Sequence, residues 1–264
     1  MKTRLDVYLV DNGYFPTREK AKAAIMAGLV YVNGQISDKA GNMIDPEAPV
    51  EVRGDSCPYV SRGGYKLEKA LDVFGIDVSG LSCIDIGSST GGFTDCMLQN
   101  NASKVYAVDV GYGQLAWSLR NDPRVVCLER TNARYLTHEV IPDNLDFFSM
   151  DVSFISVKLI LPAVYDLMND HGQGVILIKP QFEAGKNKIG KNGVIRDPSV
   201  HKEVIEDITS FLEKNGFGIL ALDYSPIKGP KGNIEFLAYV EKNSASNSFN
   251  IDDVIGSAHL ELDH

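Results

Sequence analysis

Cys83-Ile84-Asp85-Ile86-Gly87-Ser88-Ser89-Thr90-Gly91-Gly92-Phe93-Thr94-Asp95 decides how the rest of the chain is read. A strand-sized apolar run gives way to small residues and then to a helix-like stretch, where the backbone can turn tightly and approach a ligand closely. The spacing, Asp-x-Gly-x-x-x-Gly-Gly, differs from the Gly-x-Gly-x-x-Gly built to hold a pyrophosphate. Further strand patterns follow at Lys104–Asp109, Val125–Leu128, Asp146–Met150 and Gly174–Ile178, then at Ile219–Tyr224 and Glu235–Val240. Helical stretches separate most of them, which predicts an α/β fold with a mostly parallel, doubly wound, Rossmann-like sheet of seven strands.

The second strand, Val105-Tyr106-Ala107-Val108-Asp109, ends in an acid 22 residues after Gly87. That matches the spacing of about 20 residues between a glycine turn and a ribose-binding carboxylate. Asp109 as a simple turn residue before Gly111 is the bland alternative, but the two features together favour a nucleoside. Asn132, after the third strand, is a candidate for the adenine edge.

The 264 residues predict about two domains. The net charge of −9 argues against a protein that coats nucleic acid through bulk positive charge. Its distribution is uneven. Residues 244–264 hold Asp252, Asp253, Glu261 and Asp263 and no Lys or Arg, and read as an acidic tail with room for a short helix at its end. Residues 179–202 carry six bases against two acids and read as a basic loop. Cys57, Cys83, Cys96 and Cys127 lack metal-cage or secreted-scaffold spacing, so no metal is expected. No signal peptide or membrane-length apolar run is evident, and a cytoplasmic, monomeric protein is the expectation.

Residues 1–57 read as a small α+β module, 58–64 as a connector and 65–243 as the catalytic domain. Thr3 and Thr17 are candidate caps of two short helices, and Val32-Asn33-Gly34-Gln35 is a hairpin signal. The pattern from Arg4-Leu5-Asp6 through Arg18, Ala21, Ile25, Gly28 and Val32-Asn33-Gly34 to Gly41 resembles the RNA-binding module named after ribosomal small-subunit protein four. Arg4, Arg18, Lys20 and Lys22 are its candidate phosphate contacts, joined by Arg62 and, from the basic loop, Lys186, Lys188, Lys191 and Arg196. A solvated helix end is the ordinary fate of such charges; the surrounding module favours the RNA reading.

The glycine turn resembles the first motif of S-adenosylmethionine-dependent methyltransferases. On that resemblance Asp85, Gly87, Ser88, Ser89, Thr90, Gly91, Gly92 and Phe93, with Asp109 and Asn132, are the cofactor-binding candidates. Lys66, Asp151, Lys179 and Glu235 stand where the sheet would expose its functional edge, provided the last strand is antiparallel. Lys179 directly follows Val-Ile-Leu-Ile, close to a buried strand. The four residues resemble the Lys-Asp-Lys-Glu tetrad of FtsJ-type ribose 2′-O-methyltransferases. With the N-terminal module in front, residues 3–243 resemble the TlyA family of ribosomal RNA methyltransferases, some of which are called hemolysins. The resemblance implies S-adenosylmethionine as cofactor, ribosomal RNA or ribosomal subunits as partner, and a cytidine 2′-hydroxyl as target.

A ribose hydroxyl is a poor nucleophile and a sulfonium methyl is already activated, so positioning does much of the work. Lys179 either orients the hydroxyl or accepts its proton; the sequence leaves both open. The competing readings are a non-catalytic assembly factor, a membrane-lytic hemolysin and a pseudouridylating enzyme. The complete tetrad, the lack of a membrane-active helix pattern and the cofactor turn disfavour them in that order.

Overall fold

The computed structural model describes residues 2–15, 17–26, 28–52, 57–185, 188, 190 and 193–263. Residues 1–64 form one compact unit and residues 65–264 another.

The first unit comprises β1 (Thr3–Arg4), α1 (Leu5–Asp11), α2 (Arg18–Met26), β2 (Val30–Val32), β3 (Gln35–Ile36), β4 (Met43–Ile44) and β5 (Val50–Val52). Leu5 and Leu9 of α1 pack against Ala21, Ala24 and Ile25 of α2 and against Val30, Ile44 and Val50. These helical residues recur at three- and four-residue steps, which places them on the core-facing stripes. Thr17 caps α2 as expected, its Oγ accepting from Lys20 N at 3.3 Å. Thr3 does not cap α1. It pairs with Ile44 in an antiparallel bridge, and Arg4 precedes the helix without a side-chain cap. Asn33 and Gly34 both have positive φ, 52° and 75°, the backbone of a type I′ hairpin turn.

The second unit follows α3 (Gly64–Phe74), whose first residue closes the first unit. Its order is β6 (Ser82–Ile86), α4 (Gly92–Gln99), β7 (Lys104–Val108), α5 (Trp117–Arg120), β8 (Val125–Leu128), β9 (Leu145–Met150), α6 (Leu161–Leu167), β10 (Met168–Ile178), α7 (Pro180–Glu183), α8 (Pro198–Lys214), β11 (Phe217–Tyr224), β12 (Phe236–Lys242) and α9 (Ile251–Leu262). The expected seven-stranded sheet forms, in the order β11-β12-β10-β9-β6-β7-β8. Pairs β6–β7, β7–β8, β6–β9 and β9–β10 are parallel, while β12 runs antiparallel to both β10 and β11. The chain steps outward from β6 in one direction and returns beside it as β9, so the switch point lies between β6 and β9. Ligands of open α/β sheets bind beyond the strand ends there. The β10–β12 register pairs Ile178 with Phe236, setting Lys179 and Glu235 side by side at that edge.

The reading of residues 244–264 as a tail is corrected. Asn247 N donates to Ile219 O at 2.8 Å, tying the segment to β11, and Asn250 caps α9. Ile255 and Ala258 of α9 are buried, and Lys202 and Lys228 hold Asp252 and Asp263 at 2.7 and 2.9 Å. The acids of this segment are thus partly neutralised by lysines of the same unit, and the apolar stripe between them supplies the burial that the polar approach segment lacks.

Candidate active site at the sheet edge

Each tetrad residue leaves a different element. Lys66 lies in the first turn of α3, with Leu67 and Ala70 buried around it. Asp151 follows β9, its N–H donating to Ile86 O at 2.9 Å. Lys179 follows β10, and Glu235 precedes β12. The four converge: Lys66 Nζ lies 2.6 Å from Glu235 Oε2 and 3.5 Å from Asp151 Oδ2. Lys179 Nζ contacts Asp151 Oδ1 and donates to Ser153 Oγ at 3.1 Å.

Burial alone would lower the Lys66 pKa, but the charges of Asp151 and Glu235 outweigh it and hold the ammonium above its ordinary value. Burial pushes Asp151 the other way, yet two ammonium groups hold its carboxyl below the usual range. Removing one partner from such a buried cluster would leave an uncompensated charge, at a cost of about 3–5 kcal/mol.

Two cavities open beside this cluster. One, of about 330 Å³, lies at the switch point and brings together Gly87, Ser89, Asp109, Asn132 and Asp151 with Val110, Gln114 and Thr131. Asp109 Oδ2 accepts from Ser89 N at 2.8 Å and Oδ1 from Gly111 N at 2.6 Å. Ser89 adopts φ 48°, which aims its N–H at that carboxylate. Each Asp109 oxygen retains acceptor capacity for a ribose hydroxyl. Asn132 Oδ1 is taken by Arg134, through its backbone N at 3.1 Å and its Nε at 3.2 Å, leaving the amide donor for a ligand. Gly87, at φ 83°, admits no side chain, because a Cβ there would lie 2.4 Å from Asp151 O. The glycine turn and the Asp151 backbone are thereby packed directly together.

The other cavity, of about 530 Å³, is lined by Lys179, Gln181, Phe182, Lys231, Asn233 and Glu235 among others. Ser153 and Phe154 line both. Phe154 is 87% exposed, has φ 65°, and meets the Phe182 ring at a centroid distance of 5.0 Å. An aromatic held in the left-handed region is a costly arrangement, of the kind that clusters at functional sites.

Some candidates are placed elsewhere. Asp85 does not face the cofactor-sized cavity: it is buried beneath the turn, accepting from Thr94 N at 2.9 Å, Thr94 Oγ at 2.7 Å and Ser149 Oγ at 3.2 Å. Its role is to pin α4 to β6 and β9. Ser88, Gly91, Gly92 and Phe93 are also buried, and with Thr90 they shape the turn without lining the cavity. A Cβ at Gly91 would meet Leu119 at 2.3 Å, so its smallness serves packing.

Among the cationic candidates, Arg4 and Arg18 both bind buried Asp6, at 3.0 and 2.7 Å. The Arg4 hydrogen bond and the nearby Arg18 hold that carboxyl at about 2 against its burial. Both guanidiniums remain half exposed, while Lys20 is exposed and Lys22 and Arg62 are partly so. Lys188 pairs with Glu203, and Arg196 is exposed. Lys186 and Lys191 lie outside the described residues. Among the described residues no cluster of His, Cys, Asp and Glu is arranged to hold a metal ion, and no helix is long and apolar enough to cross a membrane.

Sequence reasoning missed Ser153, Phe154, Gln181, Phe182 and Lys231 as site residues. The first four sit within a few residues of Asp151 or Lys179, and that adjacency was the available signal. Lys231, in Gly229-Pro230-Lys231-Gly232, carried none beyond its place in a turn.

Residues 59–242 match the FtsJ-like methyltransferase family and residues 3–50 the S4 domain. A Bacillus subtilis relative, YqxC, is 53% identical over 240 residues, covering 90% of this chain and 85% of its own. The 16S/23S rRNA (cytidine-2′-O)-methyltransferase TlyA of Mycobacterium tuberculosis is 40% identical over 263 residues, 98% of each chain. A solved structure described as a candidate hemolysin from Streptococcus thermophilus superposes with a TM-score of 0.80 at 49% identity, covering 99% of this chain and 97% of that one.

Proposed function

The chain belongs to the FtsJ-like methyltransferase family with an S4 domain in front, and from that premise we propose that it transfers a methyl group from S-adenosylmethionine to a ribose 2′-hydroxyl of ribosomal RNA. A cytidine is the target this reading favours, on the substrate named for its mycobacterial relative. The observation that carries the reading is the convergence of Lys66, Asp151, Lys179 and Glu235 at the strand ends, between two cavities that share Ser153 and Phe154.

The donor set of the smaller cavity fits the cofactor. Asp109 has acceptor capacity for two ribose hydroxyls, Asn132 a free amide donor, and Val110, Val152 and Ile160 an apolar wall for an adenine. S-adenosylmethionine would supply there a methyl group already activated by its sulfonium charge. The larger cavity then takes the target nucleotide, with the faces of Phe154 and Phe182 available to its base.

At the junction Lys179 Nζ, held by Asp151, orients the 2′-hydroxyl toward the methyl group. The sulfonium leaves as a neutral thioether, and the hydroxyl proton passes to a base, a role that Lys179 fills only where Nζ has first given up its own proton. Lys66 stays charged and holds Asp151 and Glu235 in place. In this division the N-terminal module positions RNA and takes no part in the chemistry.

The test incubates purified protein and labelled S-adenosylmethionine with separate ribosomal subunits and with naked ribosomal RNA. Label is expected in ribose 2′-O-methyl groups. Lys179→Ala should lose about 10²–10⁴-fold in rate while retaining cofactor. Absence of label on every RNA would overturn the reading, and label in the bases would move it to another chemistry. A single-turnover pH–rate profile without an ionisation that Lys179→Arg abolishes would leave Lys179 as a guide and not a base.

A further inference from the structure

A third cavity, of about 550 Å³, lies next to the one assigned to the target nucleotide, and Lys231 lines both. Its other walls include Lys188, Ile195, Arg196 and Asp197. Two of its four charges are already engaged. Lys188 binds Glu203, and Asp197 caps α8 by accepting from Ser199 N at 2.9 Å and Ser199 Oγ at 2.7 Å. Among the described residues Arg196 and Lys231 have no carboxylate partner.

Their backbones are fixed. Lys231 sits at the tip of a turn closed by Gly232 N to Gly229 O at 2.8 Å and Gly229 N to Asn233 O at 2.9 Å. Buried Asn233 accepts from Ile195 N at 2.9 Å and donates to Gly193 O at 3.0 Å, stapling the stretch before Arg196 to the same turn. Ile195 is itself buried, so Arg196 leaves from an anchored residue.

We propose that Lys231 and Arg196 form an anion subsite for a phosphodiester flanking the target nucleotide. The inference rests on the reading of the cavity beside Lys179 and Glu235 as the seat of that nucleotide. An internal ribose carries a phosphodiester on each side, within a few ångströms of its 2′-oxygen. A nucleotide presented to Lys179 therefore brings a phosphate within reach of the cavity walls, and Lys231 is one of the cations on them. Two cations without a carboxylate partner among the described residues, on a stapled backbone, can meet it with little reorganisation, and the guanidinium can do so through two parallel hydrogen bonds. The subsite reads no base; it sets the depth to which the strand enters.

Binding of labelled ribosomal RNA on filters, across a potassium chloride series, tests this for the full chain, with methyl transfer measured in parallel. Lys231→Ala and Arg196→Ala should each weaken binding and reduce the slope of log affinity against log salt by about 0.7–0.9, the value of one phosphate contact. Lys231→Arg should restore the slope. A wild-type slope in Lys231→Ala, or a lowered slope that Lys231→Arg does not restore, would overturn the subsite. RNA binding with the expected slopes but without methyl transfer would leave the subsite standing and remove the proposed function. Methyl transfer with unaltered slopes would do the reverse.

Discussion

Asp85 and His201 show how two buried residues outside the chemistry set the pH behaviour of the fold. Burial outweighs the three hydrogen bonds to Asp85 and pushes its carboxyl up to about 7. Its unfolded value is about 3.9, so the folded state holds the proton more tightly. The stability this contributes is present below that value and is lost as pH rises through 7. His201 is the mirror case. Burial, and then the neighbouring His259, lower it to about 4. His259 Nδ1 meets Asp263 Oδ2 at 2.7 Å and His259 Nε2 meets His201 Nδ1 at 3.1 Å, and burial keeps His201 neutral. Its contribution is present above an unfolded value of about 6.5 and is lost as pH falls through 4. Between those limits the two slopes oppose each other. Asp85→Asn keeps the hydrogen bonds, its oxygen accepting from Thr94 and its amide donating to Ser149, but removes one slope. The melting temperature of this variant should fall more steeply than wild type on acidification from pH 6.5 to 4; parallel curves would contradict the account.

At the scale of elements, the loop after β9 and helix α7 after β10 are joined by Glu183. Its carboxylate accepts from Ser156 Oγ at 2.6 Å and Val157 N at 2.9 Å, and burial pushes its pKa above the ordinary value. Asp151 and Phe154 lie on one side of this junction, Lys179 and Phe182 on the other. Glu183→Ala should therefore lower kcat about tenfold or more, the scale on which small displacements of reacting groups act, and leave cofactor affinity within about twofold. Glu183→Gln, which can keep both bonds, should recover most of the rate. Equal loss in the two variants would mean that Glu183 does not work through this geometry.

The strands were legible because a sheet covered on both faces demands continuous apolar runs, and the glycine turn and Asp109 stood at a spacing set by covalent geometry. Thr3 was misread because a capping residue and a strand residue look alike until Ile44 arrives from forty residues away. The segment 244–264 was misread because a sparse stripe of Ile255 and Ala258 gains its value only from the groove between α8 and β11. Phe154 was legible only through its nearness to Asp151 in the chain: its backbone conformation is imposed by tertiary context and leaves no mark on composition.

For the whole molecule, the net charge of −9 hides a separation of tasks. Carboxylates hold Arg4 and Arg18 in the first unit and Lys66, Lys179 and Lys188 in the second, so much of the positive charge is committed internally. Placed cations such as Arg196 and Lys231 then do the work on RNA, which favours selection by shape over general adhesion.

The ion pair between Lys66 and Glu235 joins residues 169 apart in sequence, whereas Gly87, Asp109 and Asn132 come from one consecutive stretch of β6, β7 and β8. Long loops close late, since their entropy must be spent before the contact returns anything. On dilution from denaturant, retention of S-adenosylmethionine should therefore recover ahead of methyl transfer, and simultaneous recovery would contradict this order. A refolding chain would pass through a stage that holds its methyl donor before it is competent to use it.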